Sequence, residues 1–426
     1  MLKVTKFGGS SLADAGRFAA VRDIIRSDEA RRVVVVSAPG KRCAADHKIT
    51  DLLYLCHAHL QYGVSCRELW DEAAQRFCAI RQALGLQLPV EAMLQETYAS
   101  LSSRTPAAAL ASRGEYFSAR LMADYLGFSF VDAADWLHFD FQGRVLEEES
   151  YGALRELAQG RSIVTPGFYG VLPSGELHTF TRGGSDVTGS LAAAALGADV
   201  YENWTDVAGV LAADPAIVSS PAPIGEMTYA ELQLLSGIGT QVLHESAVSP
   251  VRQAGIPLRI RSTFSPELPG TLIGGSGEES RLPAAFFAGR RQLTLLELDA
   301  RAPEETLYRS VQAALEEAGV RVFCGSCAPG RVTLLLERQP PERLHAAQEQ
   351  LERLPEAENV RLRGEIGAVC AVCRRPLLPT LLLALEQAGI RAQYTADAFP
   401  LAVLAVPDSA YEPALRAAYR AVFNGS

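Results

Sequence analysis

Thr181-Arg182-Gly183-Gly184-Ser185-Asp186-Val187-Thr188-Gly189 follows a strand-like segment, Glu176 to Phe180, and runs into Ser190 to Gly197, which is rich in alanine, the best helix former. A strand, a glycine turn and a helix in that order make an anion site. Two glycines let backbone N–H groups approach a ligand, the helix N-terminus adds partial positive charge, and Arg182 brings a planar fork for carboxylate or phosphate. Asp186 falls where a substrate and a metal would meet. An ordinary turn with Asp186 as helix cap has the same sequence, so the decision rests on the rest of the chain.

At 426 residues the chain suits two or three domains, and 48% hydrophobic with 21% charged content describes an ordinary globular protein. Its 40 basic and 49 acidic residues give a net charge of −9, which argues against nucleic acid or a membrane surface as the main partner. Met1-Leu2-Lys3-Val4-Thr5 passes directly into a strand pattern, and no apolar run approaches bilayer-spanning length, so the chain reads as cytoplasmic. There are eight cysteines, and Cys324/Cys327 and Cys370/Cys373 form two C-x-x-C pairs, a zinc spacing. Against zinc, Cys370 and Cys373 belong to an apolar strand-like stretch from Ile366, where an odd offset turns them to opposite faces. They are read as reduced thiols, and no metal site is assigned.

The N-terminus repeats the opening pattern. Leu2 to Phe7 alternates like a strand and ends in Gly8-Gly9-Ser10-Ser11; Asp14 or Ser11 can cap a helix whose apolar stripe is Phe18, Val21, Ile24 and Ile25. Lys6 stands just before the glycines, placed either to reach a bound phosphate or as a solvated lysine on an edge strand. Arg32 to Ser37 is a β-branched run predicted to be a buried parallel strand. Arg42 to Lys48 is polar and basic and suggests a mobile loop over the site. Thr50 opens a helix with Leu52, Leu53, Cys56 and Leu60; Ser65 to Leu84 is a second helix, and Leu101 to Ala111 a small-residue connector without evident chemistry.

Ser112-Arg113-Gly114-Glu115 returns polar groups just before a helix, where Glu115 either complements the helix dipole or contacts a substrate ammonium. Phe168 to Phe180 reads as a hairpin, and Asp199 to Trp204 as a strand ending in Thr205-Asp206-Val207-Ala208-Gly209. That ending suits a nucleotide in the crevice at the carboxyl ends of parallel strands. Thr228 with Glu231 makes a capping box, and the pattern closes near Ile273.

Five of these motifs, Lys6 to Ser11, Val36 to Gly40, Ser112 to Glu115, Arg182 to Asp186 and Trp204 to Val207, together resemble the signature set of aspartate kinase, in the family's order. The resemblance implies an amino-acid-kinase fold, an α/β architecture with a mainly parallel sheet sandwiched by helices. It implies transfer of phosphate from ATP, with Mg²⁺, to the side-chain carboxylate of L-aspartate, giving 4-phospho-L-aspartate. Carried over by position, Lys6 and Asp186 are catalytic, Lys6 neutralising the transferring phosphoryl group. Ser37, Thr50, Glu115, Arg182 and Ser185 bind the substrate. Lys6, Gly8, Gly9, Ser10, Thr205, Asp206, Gly209 and Gln241 line the nucleotide side.

Two positions depart from the family pattern. Asp214-Pro215-Ala216 stands where Asp-Pro-Arg is common, and Gln241, within Gly239 to Glu245, stands where a lysine is common. Each lost charge-assisted contact costs on the order of 1.5–3 kcal/mol unless replaced. Lys41, Arg42, Lys48, Arg259 and Arg261 are the cations placed to substitute.

In the C-terminal third, Ala314 to Arg321 recurs as Ala384 to Arg391, an offset of 384 − 314 = 70 residues. Each copy ends a helix at a glycine. The predicted buried stripes are Leu307, Val311, Leu315 and Ala318 in one and Leu377, Leu381, Leu385 and Ala388 in the other. This resembles a tandem pair of ACT-type βαββαβ modules, which in the family bind an end-product amino acid. Lysine, threonine or both are the expected effectors, with Gly319 to Gly330 as the effector loop.

The expected organisation is a catalytic domain over 1–275 with a helical insert about 50–111, a linker over 276–291, and the tandem ACT region over 292–426. A homodimer or higher homo-oligomer, monofunctional, is expected. Two alternatives stay open: a related kinase acting on another small amino acid, and a catalytically weak amino-acid-sensing subunit.

Overall fold

The structure, a computed structural model, describes residues 1–181, 183–239, 243–274, 285–300 and 304–423. The chain divides into two units, the first comprising Met1–Val210, Gly225–Tyr229 and Val242–Glu278, the second Leu211–Ile224, Ala230–Gln241 and Glu279–Ser426.

Apolar alternation starts the first unit with strand β1 (Lys3–Phe7), a 3-10 turn at Gly9–Leu12, helix α1 (Ala15–Arg26) and strand β2 (Arg31–Val36). Asp14 caps α1 by accepting the Arg17 N–H at 3.0 Å, and Phe18, Val21, Ile24 and Ile25 are all buried, each worth about 1.5–3 kcal/mol of transfer free energy. Five helices follow: α2 (Ile49–Gln61), α3 (Arg67–Leu84), α4 (Val90–Ser100), α5 (Ala107–Ala111) and α6 (Arg113–Leu126). The α4 helix was not anticipated, and α5 occupies part of the expected connector.

The chain continues through β3 (Ser129–Phe130), α7 (Glu147–Ala158), β4 (Ile163–Pro166) and the hairpin β5 (Tyr169–Val171) with β6 (Leu177–Thr179). Next come α8 (Gly184–Leu196), β7 (Val200–Thr205), β8 (Glu226–Met227) and α9 (Tyr229–Gly237), all but the first residue of which groups with the second unit. Helix α10 (Glu245–Gln253), β9 (Leu258–Ser262) and β10 (Thr271–Ile273) complete the first unit's elements.

The main sheet has the order β3-β4-β2-β1-β7-β9-β10-β8. It is parallel from β3 to β9, with β10 antiparallel to β9 and parallel to β8. Helices α1, α3 and α6 pack together, as do α7, α8 and α10, and β2 meets members of both groups, so the sheet is sandwiched. Because side chains alternate along a strand, Phe7 joins the core with Phe18, Phe77 and Phe117, while its neighbour Lys6 turns toward α8. Lys6 therefore does not lie on an edge strand; β1 is central, between β2 and β7.

The second unit is built on β11 (Ala285–Ala300), α11 (Glu304–Glu317), β12 (Val322–Ala328), β13 (Arg331–Leu336), α12 (Pro341–Glu352) and β14 (Ala357–Cys373). It ends with α13 (Leu378–Gln387), β15 (Tyr394–Ala398), β16 (Leu401–Pro407) and α14 (Tyr411–Phe423). Its sheet is ordered β12-β13-β11-β14-β16-β15 and is antiparallel throughout.

The modules interlock rather than follow one another. Strands β11 and β14 pair along nearly their whole length, with a break in register where Gln292 and Glu365 take φ of 58° and 56°. Beyond the break, Leu293–Ala300 and Ala357–Arg363 join β12 and β13; before it, Ala285–Arg290 and Ile366–Cys373 join β16 and β15. Residues 285–291 are thus strand, not linker, and the second module takes its sixth strand from ahead of the first.

The 70-residue repeat holds at its glycines, Gly319 and Gly389, with φ of 67° and 72°, a conformation that costs an L-residue more. Leu307, Val311, Leu315, Leu377, Leu381 and Leu385 are buried, whereas Ala388 is exposed. Gly319 to Gly330 is mostly strand β12 rather than a loop. All eight cysteines are free thiols; Cys370 and Cys373 are both buried, and burial pushes the Cys373 thiol up to about 12.

Candidate functional site

The carboxyl ends of β1, β2, β7 and β9 bring the first unit's polar groups together. Lys6 Nζ lies 2.5 Å from Asp186 Oδ1 in the first turn of α8, with side chains 8% and 21% exposed. Asn203, the register partner of Lys6 on β7, donates from Nδ2 to the same Oδ1 at 2.7 Å. Tyr201, two residues earlier and so on the same strand face, donates its hydroxyl to the Asp186 backbone oxygen at 3.0 Å. Burial, with Asp186 alongside, holds the Tyr201 phenol well above its ordinary value and therefore protonated. Asp186 is positioned from three sides, and it is not the helix cap, since Gly183 holds that place in a left-handed conformation.

The start of α8 is packed without slack. A Cβ on Gly184 would lie 2.6 Å from the Phe168 ring, and one on Gly167 would lie 2.6 Å from Ser185 Cβ. Phe168 itself has φ of 79°, held by its N–H donating to Thr188 Oγ1 at 3.0 Å. Ser185 is buried there. Arg182 lies outside the described residues, as does Gln241.

At Gly8 the surroundings are open: a Cβ would stand 3.5 Å from Lys6 Nζ, in the space an anion's oxygen would take. Gly9 and Gly40 touch backbone to backbone, the Gly40 N–H donating to Gly9 O at 2.8 Å, and a Cβ on Gly40 would fall 2.7 Å from Gly9 C. Ser10 is half-buried in the same turn, and Ser11 Oγ lies 2.7 Å from Thr263 Oγ1. The Thr263 N–H in turn donates to Thr205 O at 2.9 Å, tying the glycine turn to the end of β7. Thr205 and the exposed Asp206 are joined through their side chains at 3.1 Å. Gly209 has a packing reason of its own: φ is 124°, and a Cβ would meet Thr271 Oγ1 at 2.7 Å.

Glu115 enters from the first turn of α6, whose close approach depends on Gly114, where a Cβ would lie 2.7 Å from Ala38 Cβ. Glu115 is 5% exposed, and burial pushes its carboxyl up to about 8 against the opposing pull of the Ala38 amide. Its Oε2 has no hydrogen-bond partner among the described residues. A buried acid with an unused oxygen suits a cationic ligand group, which would draw it into the ionised form. Ser37 is fixed by its N–H to Phe7 O at 3.1 Å, and Thr50 is half-buried in the first turn of α2.

The loop expected to be mobile is clamped. Arg76 of α3, 3% exposed, donates to Gly40 O at 2.9 Å, Asp46 Oδ1 at 2.8 Å and His47 O at 3.3 Å. Arg42 also pairs with Asp46, at 2.9 Å, and these two arginines hold the Asp46 carboxyl well below the usual carboxylate range. Arg42 is therefore committed, as are Arg259, which donates to Pro269 O at 3.3 Å, and Arg261, which donates to Pro266 O at 2.6 Å. Lys41 and Lys48 remain exposed at the loop's two ends. Ala216 sits in a turn of the segment 211–224, within the second unit.

Sequence reasoning missed Asn203, Tyr201 and the Arg76–Asp46 pair. For Asn203 and Tyr201 a signal existed, two polar groups with period two on a buried strand. Arg76 offered none beyond a basic residue in an otherwise apolar helix face, because its partners lie about 30 residues away on the chain.

A model of the amino acid kinase family matches residues 1–262, more than half of the chain. Aspartokinase 3 of Bacillus subtilis is 36% identical over 302 residues, covering 67% of this chain and 66% of that protein. Lysine-sensitive aspartokinase 3 of Escherichia coli is 32% identical over 320 residues, covering 69% of each. The crystal structure of aspartate kinase from Clostridium acetobutylicum matches with a TM-score of 0.88 at 33% identity over 99% of both chains. A lysine–carboxylate pair at the strand ends, a glycine turn beside it and a buried glutamate facing it recur here in a chain of matching length, so the protein belongs to the amino acid kinase family, in its aspartokinase branch.

Proposed function

We propose that the protein phosphorylates the side-chain carboxylate of L-aspartate with ATP, giving 4-phospho-L-aspartate and ADP. The observation that carries this reading is the Lys6–Asp186 contact beside the open face of Gly8. The acceptor carboxylate is already ionised, so the site needs charge compensation and alignment rather than a strong base. An acceptor oxygen forms a bond to the γ-phosphorus while the bond from that phosphorus to the bridging oxygen breaks. Lys6 supplies positive charge to the transferring group, and Gly8, Gly9 and Ser10 present backbone N–H groups to phosphate oxygens. Asp186 holds the Lys6 ammonium in place with Asn203 behind it.

Glu115 receives the substrate ammonium, with Ser37, Thr50, Ser185 and Arg182 around the carboxylates; Thr205 and Asp206 take the nucleotide side. The described residues contain no group of three or more His, Cys, Asp or Glu able to hold a metal by themselves. That set suits Mg²⁺, which takes one or two carboxylates and otherwise phosphate and water oxygens; Asp186 is the residue to hold it. Bound with the nucleotide, Mg²⁺ supplies neutralisation of phosphate charge. Lys41 and Lys48, the two uncommitted cations of the five considered, stand in for the charges missing at Ala216 and Gln241.

Regulation by lysine is supported by the sensitivity named for the Escherichia coli relative, with threonine as the second effector to test. A homodimer or higher homo-oligomer in the cytoplasm is part of the same reading; among the described residues no helix is long and apolar enough to cross a membrane. The test is hydroxylamine trapping with ATP, Mg²⁺ and L-aspartate. Acyl-hydroxamate with aspartate and none with glutamate supports the proposal, and none with any small amino acid makes the chain a sensing subunit. Titration of the same assay with lysine and with threonine tests the effector, and light scattering tests the oligomer.

A further inference from the structure

We propose that Arg76 is a positioning residue for the aspartate pocket, acting through the loop that separates Ser37 from Thr50. The loop leaves β2 just after Ser37 and returns at α2 just before Thr50, so its closure sets where both side chains stand. One guanidinium holds both ends, accepted by Gly40 O at 2.9 Å and by His47 O at 3.3 Å, with Asp46 Oδ1 at 2.8 Å as its counter-ion. Asp46 is in turn held by the Arg42 N–H and Nε, each at 2.9 Å. The closed end is locked against the phosphate turn by the Gly40 N–H on Gly9 O at 2.8 Å and reinforced by the Ile49 N–H on Pro39 O at 3.3 Å. Arg76 is 3% and Asp46 9% exposed, so the clamp is not a solvated surface pair.

A planar fork that bonds two carbonyls and a carboxylate together cannot be copied by a lysine, which is a point donor on a flexible stem. Arg76 touches neither of the substrates, so its loss should appear in aspartate affinity rather than in the chemical step.

This inference rests on the aspartate kinase reading, and the experiment separates the two by using the wild-type hydroxamate rate as its reference. An active wild type supports that reading on its own; the variants then test Arg76. Arg76→Lys, in the full chain, is expected to raise the aspartate KM about tenfold, the scale of one lost charge-assisted hydrogen bond, with kcat and ATP KM within about threefold. Asp46→Asn, which spares the guanidinium, is measured in parallel in case the lysine variant does not fold, and is expected to move aspartate KM in the same direction. Glu72→Gln on the same helix, whose exposed partner is His47, is expected to change nothing. Added guanidinium at non-denaturing concentration is expected to restore aspartate KM in Arg76→Ala. Unchanged aspartate KM in both folded variants overturns the proposal, and so does a fall in active fraction at constant KM, which is what a merely structural role produces.

Discussion

Lys6 Nζ and Asp186 Oδ1 are 2.5 Å apart although 180 residues separate them, and Asn203 reaches that same oxygen at 2.7 Å. The carboxylate is held from the sheet side, leaving its second oxygen toward the glycine turn. Neutralising it with Asp186→Asn should lower kcat about 10²–10³-fold, the scale of losing one preorganised electrostatic group, with the thermal midpoint little changed. Steady-state kinetics beside calorimetry checks this, and near-normal turnover would contradict the assignment. Asn203→Ala should cost less, about tenfold, since it removes a single hydrogen bond to a charged group.

Glu115 gives a pH signature in the free enzyme. Its carboxyl, ordinarily near 4.5, is raised to about 8 by burial, so the native state binds more protons than the unfolded state between those values. Stability from this group is therefore complete below pH 4.5 and is lost as pH rises toward 8. Denaturant unfolding of wild type should show that decline, and Glu115→Gln should flatten it. Aspartate binding near pH 7 should release a proton from Glu115, because the ammonium favours the ionised form. Calorimetry in two buffers of different ionisation enthalpy measures that release, and its absence in wild type would remove Glu115 from the ammonium site.

The two neighbouring glycines should part company. Gly40→Ala drives a Cβ to 2.7 Å from the Gly9 backbone, so a loss of about 1–3 kcal/mol is expected. At Gly8 the nearest atom to an added Cβ is Lys6 Nζ, at 3.5 Å. Gly8→Ala should fold normally and raise the ATP KM, because the methyl occupies phosphate space. Melting curves and ATP titrations of the two variants distinguish these effects.

Glu202 tests the sheet rather than the site. It accepts the Arg31 guanidinium at 2.7 and 3.2 Å and the Trp204 indole N–H at 3.0 Å while 1% exposed. Glu202→Gln leaves Arg31 buried without its charge partner, and a loss of about 3–5 kcal/mol is expected from urea unfolding.

Lys41→Ala with Lys48→Ala should raise the ATP KM if the two lysines replace the missing phosphate-side cations. An unchanged ATP KM in the double variant would leave the departures at Ala216 and Gln241 uncompensated by this loop.

Local order was legible in the chain itself. Period-two alternation marked β1, β2 and β7, the Asp14 cap and its stripe marked α1, and glycines marked the turns, because each of these is decided by residues within about four positions of one another. Lys6, Gly8, Gly9, Glu115 and Asp186 were likewise named from motif and order. What only the tertiary structure decided was which distant groups meet. Asn203 became the partner of Asp186 through the β1–β7 register, Arg76 became the clamp of a loop that composition alone suggested was mobile, and Ala285–Arg290 became the last strand of a module that begins some 80 residues later. Strand pairing between remote segments and burial of a charge depend on the assembled sheet, and neither leaves a local pattern to read.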